Sequence, residues 1–176
     1  MVPGEGLRDL DEEKRVSKQM NPEEVGREIE ELLVQVADSF GEDFPNVLWN
    51  GLACECDPST GMIFVTASEV GCDLNTPCTD WKFQYLEQAL PDLELPPWVG
   101  RYQEATVGVF HGQLTSCFAF RALLDAAAMA LIRFARTEKA EARIQPGTPL
   151  ELRSWSSSDM NFQKGRDRVR AMLGRV

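Results

Sequence analysis

Cysteine is the residue type whose spacing in this chain comes closest to a chemical site. Cys54 and Cys56 flank a single residue, whereas Cys72 and Cys78 are five residues apart. Alternate residues of a strand point to the same face, so the first pair can reach one ion. Structural zinc sites, however, use cysteine pairs with about two to four residues between them, often with histidine. We therefore expect no metal and no cofactor, with thiols that act as small buried hydrophobes; a composite zinc site of all four is the alternative.

A second candidate is the pair of His111, the only histidine, and Cys117. Together they supply a nucleophile and a base, which are the minimal set of groups for nucleophilic catalysis. His111 ends an apolar run, which places it at the end of a strand, and Cys117 lies at the entrance of a long helix. No third group that would orient the pair occurs at a recognisable spacing. A structural or surface histidine is therefore the expectation.

Carboxylate and serine residues offer the remaining candidate sites. Glu55 and Asp57 on a predicted hairpin form a candidate acid–base pair, but with 28 acidic residues such proximity is expected by chance. The run from Ser156 to Asp159 lacks the glycines that flank a nucleophilic serine, and helix capping explains it better. No glycine-rich phosphate loop occurs. We predict no catalytic residue, and an enzyme with an unrecognised Cys/His or carboxylate site is the weakest alternative.

The clearest element that would position these residues is an amphipathic helix. Asn21 is a good N-cap, Pro22 suits the first helical position, and Gly41 ends the pattern. Apolar residues recur between them at helical spacing: Val25, Ile29, Leu32, Leu33, Val36 and Phe40.

Four segments have the composition of strands. Residues 47–56 and 62–67 form a predicted hairpin around the turn 57–61, which contains proline and glycine. Residues 106–111 and 150–155 are predicted as the third and fourth strands. A long helix before the fourth strand would permit one parallel pairing.

Further helices are predicted around these strands. A short helix begins at Thr79 or Asp80 and runs to residue 90, although alternating aromatic residues there also fit a strand. Residues 91–100 form an irregular crossing, residues 116–142 a long helix, and Ser158 or Asp159 caps the last helix. The prediction is an α+β fold, with a small, mainly antiparallel sheet of about four strands packed against three to four helices.

Residues 1–20 are predicted as a flexible tail and residues 21–176 as one α+β domain. Met20 is an alternative start of translation. The beginning of the chain lacks the pattern of a secretory signal, and the longest apolar run is far shorter than the roughly 20 residues of a spanning helix. The odd number of cysteines favours reduced thiols. The expected location is the cytoplasm, with no membrane partner.

Charge is distributed unevenly along the 176 residues, which have a formal net charge of -10. Residues 21–111 contain seventeen acids and three bases, whereas residues 112–176 contain six acids and eleven bases. Phosphate backbones require clustered Lys and Arg, so the acidity argues against nucleic acid as a partner. A basic protein partner fits the acidic half, although solubility alone also explains a solvated acidic surface.

Loops of the acidic half supply the predicted partner-binding residues, because loops bind partners more often than the framework does. Tryptophan is a frequent anchor of protein interfaces, although a loop tryptophan folded onto the core is an equal alternative. The predicted binding residues are Asp73, Asp80, Trp81, Asp92, Glu94 and Trp98.

The chain also resembles small bacterial immunity-type domains of unknown function from polymorphic-toxin loci. The resemblance rests on the first helix, the hairpin of residues 47–67, the triplet from Thr79 to Trp81 and the run from Trp155 to Asp159, within residues 21–173. It implies a non-catalytic acidic protein that covers the active site of a basic toxin. A structural or adaptor domain of a larger assembly is the alternative function.

Overall fold

The structure is a computed structural model that describes residues 14–16, 18–91, 94–156 and 162–174. The regular elements are, in chain order, α1 (Pro22–Asp43), β1 (Trp49–Cys56), β2 (Ile63–Glu69), α2 (Pro97–Ala105), α3 (Phe118–Phe134), α4 (Glu138–Glu141), β3 (Glu151–Trp155) and α5 (Phe162–Leu173). Short 3₁₀ segments occur at Cys78–Asp80, Leu86–Ala89 and His111–Ser116. None of the described helices combines the length and the apolar character that a bilayer crossing requires.

The described sheet has three strands in the order β2-β1-β3. β1 pairs with β2 antiparallel and with β3 parallel, so Leu52 lies between Ala67 and Leu152. The hairpin is tight because Asp57 and Gly61 close its turn, and Gly61 has a φ of 76°. The parallel pairing with β3 follows from the long helical connection that precedes this strand. The α+β class is confirmed, but the sheet is mixed.

α1 forms where the sequence predicts it. The side chain of Asn21 accepts a hydrogen bond from the backbone N–H of Glu23 at 3.0 Å, which caps the helix. The apolar face of α1 packs along α3, and Phe40 contacts the indole of Trp49 edge to face with ring centroids 5.1 Å apart. The helix continues beyond the predicted end at Gly41 to Asp43.

β1 is buried on both faces, so its residues do not alternate between core and solvent. Leu52, Cys54 and Cys56 belong to the core between the sheet and the helices. Ala53 belongs to a second cluster with Cys78, Trp81 and Trp155. The loop of residues 70–81 therefore covers the face of the sheet that the helices leave open.

The predicted third strand, residues 106–111, is wrong. Thr106 is the C-cap of α2, Gly108 has a φ of 81°, and His111 begins a 3₁₀ segment. Val107 and Phe110 are 76% and 78% exposed. β-Branched residues form a strand only where a neighbouring strand supplies hydrogen bonds and packing, and this segment has neither.

The predicted helix from Thr79 or Asp80 to residue 90 is also wrong. Two 3₁₀ segments are separated there by Phe83, which forms an antiparallel bridge with Ala67 through hydrogen bonds of 2.8 and 3.2 Å. Tyr85 has a φ of 56°, which a continuous helix does not allow. The alternating aromatic residues thus correspond to one short strand-like bridge, between Phe83 and Ala67.

Two further boundaries differ from the prediction. The expected irregular crossing of residues 91–100 contains the start of α2, with Pro97 at its first position. The predicted helix of residues 116–142 is divided, because α3 ends at Phe134 and Thr137 caps the short α4 through the N–H of Ala140. The predicted caps of the last helix, Ser158 and Asp159, lie outside the described residues.

The predicted tail, residues 1–20, includes described residues at its end. Residues 14–16 and 18–19 are helical, and the side chains of Val16 and Met20 are buried in the main core.

Candidate binding groove

Asp73, Asp80 and Trp81 lie in the loop that covers the outer face of the sheet. Asp73 and Asp80 are exposed, and the carboxylate of Asp73 accepts the N–H of Asn75 at 2.8 Å within the loop. Trp81 is only 2% exposed and lies over Gly51, where a Cβ atom would come within 2.7 Å of the indole. The ring of Trp81 therefore belongs to the interior and offers no surface to a partner.

Arg153 holds this loop in place from the sheet. Its guanidinium lies 4.9 Å from the ring centroid of Trp81 and donates to the carbonyl oxygens of Leu74 and of Thr76, the latter at 3.0 Å. Arg166 of α5 also donates to the carbonyl of Leu74. Part of the basic C-terminal third is therefore bound internally to the acidic half, through backbone oxygens and not through carboxylates.

Glu94 and Trp98 lie together, at a groove between α1 and the proline-rich segment before α2. Trp98 is 2% exposed, and its indole N–H donates to the carbonyl of Gly61 at 3.1 Å. Trp98 is therefore folded onto the core, which is the alternative given above for the predicted anchors. Asp92, the remaining predicted residue, lies outside the described residues.

The groove has a volume of about 340 Å³. The described residues that line it are Glu28, Glu31, Leu32, Gln35, Leu90, Pro91, Glu94, Pro96, Pro97 and Trp98. Three of these side chains are carboxylates and none is basic. The remaining walls are mainly leucine and proline, so the groove combines negative charge with apolar surface.

The three carboxylates are not equivalent. Glu28 is occupied within the fold, because one of its oxygens accepts the backbone N–H of Trp98 at 3.1 Å and the other pairs with Arg101. It thereby caps the start of α2. Glu31 and Glu94 are exposed, and neither has an ion pair or hydrogen bond with another described residue. These two carboxylates are the ones free to bind an external cation.

The groove can accommodate a lysine or arginine side chain from another molecule. The aliphatic stem of such a residue packs on apolar surface while its charged end remains near acceptors. Leu32, Leu90 and Pro97 provide that surface, and Glu31 and Glu94 provide the acceptors. The positions of Glu28, Glu31 and Gln35 on α1 are three and four residues apart, so they share one face of the helix. This spacing is the signal that would have added Glu31 to the predicted binding residues.

The cysteines do not converge on one point. Cys54 and Cys56 face the helices, Cys78 lies on the other face of the sheet, and Cys72 is partly exposed. Burial raises the pKa of Cys56 to about 12 and that of Cys78 to about 11. Within the described part of the chain, no group of three potential ligands is placed to hold a metal ion. All five cysteines are described, and none forms a disulfide.

The other predicted chemical pairs are explained by local structure. His111 is exposed, and Cys117 caps α3 by accepting the N–H of Phe120 at 3.4 Å. Burial alone would raise the pKa of Asp57, but hydrogen bonds from Ser59 and Thr60 lower it below the ordinary value. Asp57 thus stabilises the hairpin turn as an ionised acceptor.

Glu87 is one of the seventeen acids of residues 21–111, but it is buried. It is 2% exposed, and one of its oxygens accepts the N–H of Val65 on β2 at 2.7 Å. Burial raises the pKa of Glu87, although the bond from Val65 opposes this shift. Glu87 therefore accepts a hydrogen bond from a backbone N–H of the edge strand. It does not contribute to the acidic surface.

Comparison with known proteins gives no match for this chain, whether with protein-family models, with curated proteins or with solved structures.

Proposed function

We propose that this chain is a non-catalytic, cytoplasmic binding protein of the immunity type, which covers a basic partner such as a toxin domain. The observation that supports this proposal most directly is the groove that contains Glu31 and Glu94. Both carboxylates face the solvent with apolar walls beside them and without a basic residue of the fold between them.

The proposed contact is the insertion of a lysine or arginine of the partner into this groove. A charge-assisted hydrogen bond to a carboxylate is roughly twice as strong as a neutral one. Two carboxylates beside apolar walls favour a long cationic side chain over a small cation, because the stem replaces water on leucine and proline. The excess of acids in residues 21–111 would also speed the encounter with a basic surface.

Asp73 and Asp80 are a second, outer part of the proposed surface. They are exposed, but they lie on the loop that Arg153 holds over the sheet. We expect them to contribute mainly to long-range attraction, which salt screens. Glu31 and Glu94 are expected to contribute more to the lifetime of the complex.

The proposal is tested by co-expression of the chain with the product of the adjacent gene, followed by purification and titration calorimetry at two salt concentrations. We expect a complex that weakens as salt increases. The double substitution Glu31→Gln with Glu94→Gln is expected to weaken it by about tenfold or more. The double substitution Glu42→Gln with Glu104→Gln, which removes two exposed carboxylates outside the groove, is the matched control.

The absence of a complex at low salt with a folded protein would contradict the proposed function. Equal affinities of the double variant in the groove and the control would contradict the role of the groove. A complex that persists unchanged at high salt would contradict the charge-based contact.

A further inference from the structure

A second cleft lies at the carboxyl end of β3, between the start of α3 and α5. Its volume is about 430 Å³, and it shares no residue with the acidic groove. The described residues that line it are Thr115, Phe120, Arg121, Leu124, Ser154, Trp155, Ser156, Lys164, Gly165 and Arg168. Basic, hydroxyl and aromatic side chains thus surround a single cleft.

The charge of this cleft is opposite to that of the protein as a whole. Arg121 comes from the first turn of α3, and Lys164 and Arg168 come from α5. No carboxylate is among the described residues that line it. Asp125, which is not among the described lining residues, contacts Nε of Arg168 at 3.2 Å and so offsets the charge of that arginine. Clefts lined by one sign of charge concentrate ligands of the opposite sign.

A close approach of α5 to β3 brings these cations together. A Cβ atom on Gly165 would lie 2.9 Å from the carbonyl oxygen of Ser154 and 3.2 Å from Cβ of Trp155, so only glycine permits this distance. Lys164 immediately precedes Gly165. Arg168 lies three residues after Gly165, so it occupies the same side of the helix as Gly165. The position of the basic side chains therefore depends on direct contact between helix and strand.

The uncharged walls are also suited to a ligand with a polar and a less polar part. The hydroxyl of Ser154 donates to the carbonyl of Leu124 at 2.9 Å, which fixes the floor of the cleft. Thr115 is exposed at the rim and has a hydroxyl that can donate to an anion. Phe120 and Leu124 provide apolar surface beside these groups.

We propose that this cleft binds the phosphate group of a small phosphate monoester. A phosphate monoester carries close to two negative charges at neutral pH, and a cleft lined by several basic side chains attracts it more strongly than a singly charged anion. Guanidinium groups recognise phosphate oxygens with paired hydrogen bonds. The volume exceeds that of a phosphate alone and lies within the range of small-molecule sites, so there is space for the esterified group.

The experiment is a titration of the ¹⁵N-labelled protein followed by NMR, with inorganic phosphate, a hexose phosphate and the unphosphorylated hexose as three separate probes. We expect saturable shifts of the amide signals of Ser154 and Gly165 with both phosphates and none with the hexose. Tighter binding of the ester than of inorganic phosphate identifies a contribution from the less polar walls.

Arg121→Gln is the main variant, because Arg121 is exposed and its loss leaves the core intact. We expect it to weaken phosphate binding by about tenfold. Arg136→Gln, on the exposed segment after α3, changes the net charge equally and is expected to leave the affinity unchanged. If the circular dichroism spectrum shows that Arg121→Gln does not fold, Lys164→Gln is the second variant. The absence of saturable shifts with both phosphates, or equal weakening by Arg121→Gln and Arg136→Gln, would overturn the proposal.

Discussion

The guanidinium of Arg153 lies 4.9 Å from the ring centroid of Trp81, on the face of the sheet that the helices do not cover. Both side chains are almost fully buried, at 1% and 2% exposure. The pair joins β3 to the loop of residues 70–81, and Arg153 also donates to two carbonyl oxygens of that loop. A cation and an indole that are both desolvated attract each other more strongly than an exposed pair.

Arg153→Met is therefore expected to destabilise the fold strongly. It removes the stacking on Trp81 and leaves the carbonyl of Thr76 without its donor. The carbonyl of Leu74 retains only the donor Arg166, and the total cost is about 2–4 kcal/mol. Chemical unfolding in urea measures this loss, and limited proteolysis should show earlier cleavage in residues 70–81. Arg136→Met, at an exposed position, is the control. A loss below about 0.5 kcal/mol would contradict the anchoring role, because exposed substitutions have effects of that size.

Trp98 is expected to act through stability and not through direct contact with a partner. Trp98→Ala should cost about 3–5 kcal/mol, since it empties a buried site. Trp98→Phe retains most of the ring but loses the hydrogen bond to Gly61, for which we expect about 1 kcal/mol. Thermal and urea unfolding measure both values. Unchanged stability of Trp98→Ala would show that this ring is an exposed anchor after all.

Glu87 makes the stability depend on pH in a defined direction. Because burial raises the pKa of Glu87 in the folded state, folding stabilises its protonated form relative to the ionised one, and its contribution to stability is fully present below the unfolded value near 4.5. This contribution is lost as the pH rises through the folded pKa.

Glu87→Gln should remove this dependence while it retains an acceptor for the N–H of Val65. We expect the free energy of unfolding of the wild type to fall more steeply than that of the variant as the pH rises above about 4.5. Parallel urea titrations across this range provide the comparison, with Glu104→Gln as the exposed control. Identical pH profiles for wild type and Glu87→Gln would be inconsistent with a shifted pKa.

The cysteines should differ in reactivity according to their burial. Cys54 and Cys56 are fully buried, and burial raises the pKa of both thiols, to about 12 for Cys56. We expect iodoacetamide at pH 8 to modify Cys72 and Cys117, which are partly exposed, before the buried pair. Mass spectrometry of peptides after timed quenching gives the order. Early modification of Cys56 in the folded protein would contradict its buried position.

Much of the fold could be predicted because local patterns determine the elements concerned. The capped helix α1, the hairpin of β1 and β2, and β3 all occur near their predicted positions. Residues 106–111 show the limit of this reasoning, because their β-branched composition favours a strand that no neighbouring strand completes. Residues 79–90 show the same limit, since one positive φ at Tyr85 divides the predicted helix.

The candidate site was predictable only in part. The loop position of Glu94 predicts a binding role, and Glu94 lines the same groove as Glu31 of α1, which is distant in the chain. The frequency of tryptophan at interfaces predicts Trp81 and Trp98 as anchors, but both are buried. Whether a loop tryptophan faces inward depends on what packs against it, and here Arg153 and the carbonyl of Gly61 provide those contacts.

The sequence by itself determined the α+β class, the capped first helix and the separation of an acidic from a basic part of the chain. These properties depend on composition and on neighbours a few residues apart. Only the tertiary structure decided which charges remain available, because ion pairs and burial join residues that are distant in sequence. Glu28 is bound by Arg101 and Glu87 is enclosed beneath β2, whereas Glu31 and Glu94 face the solvent together.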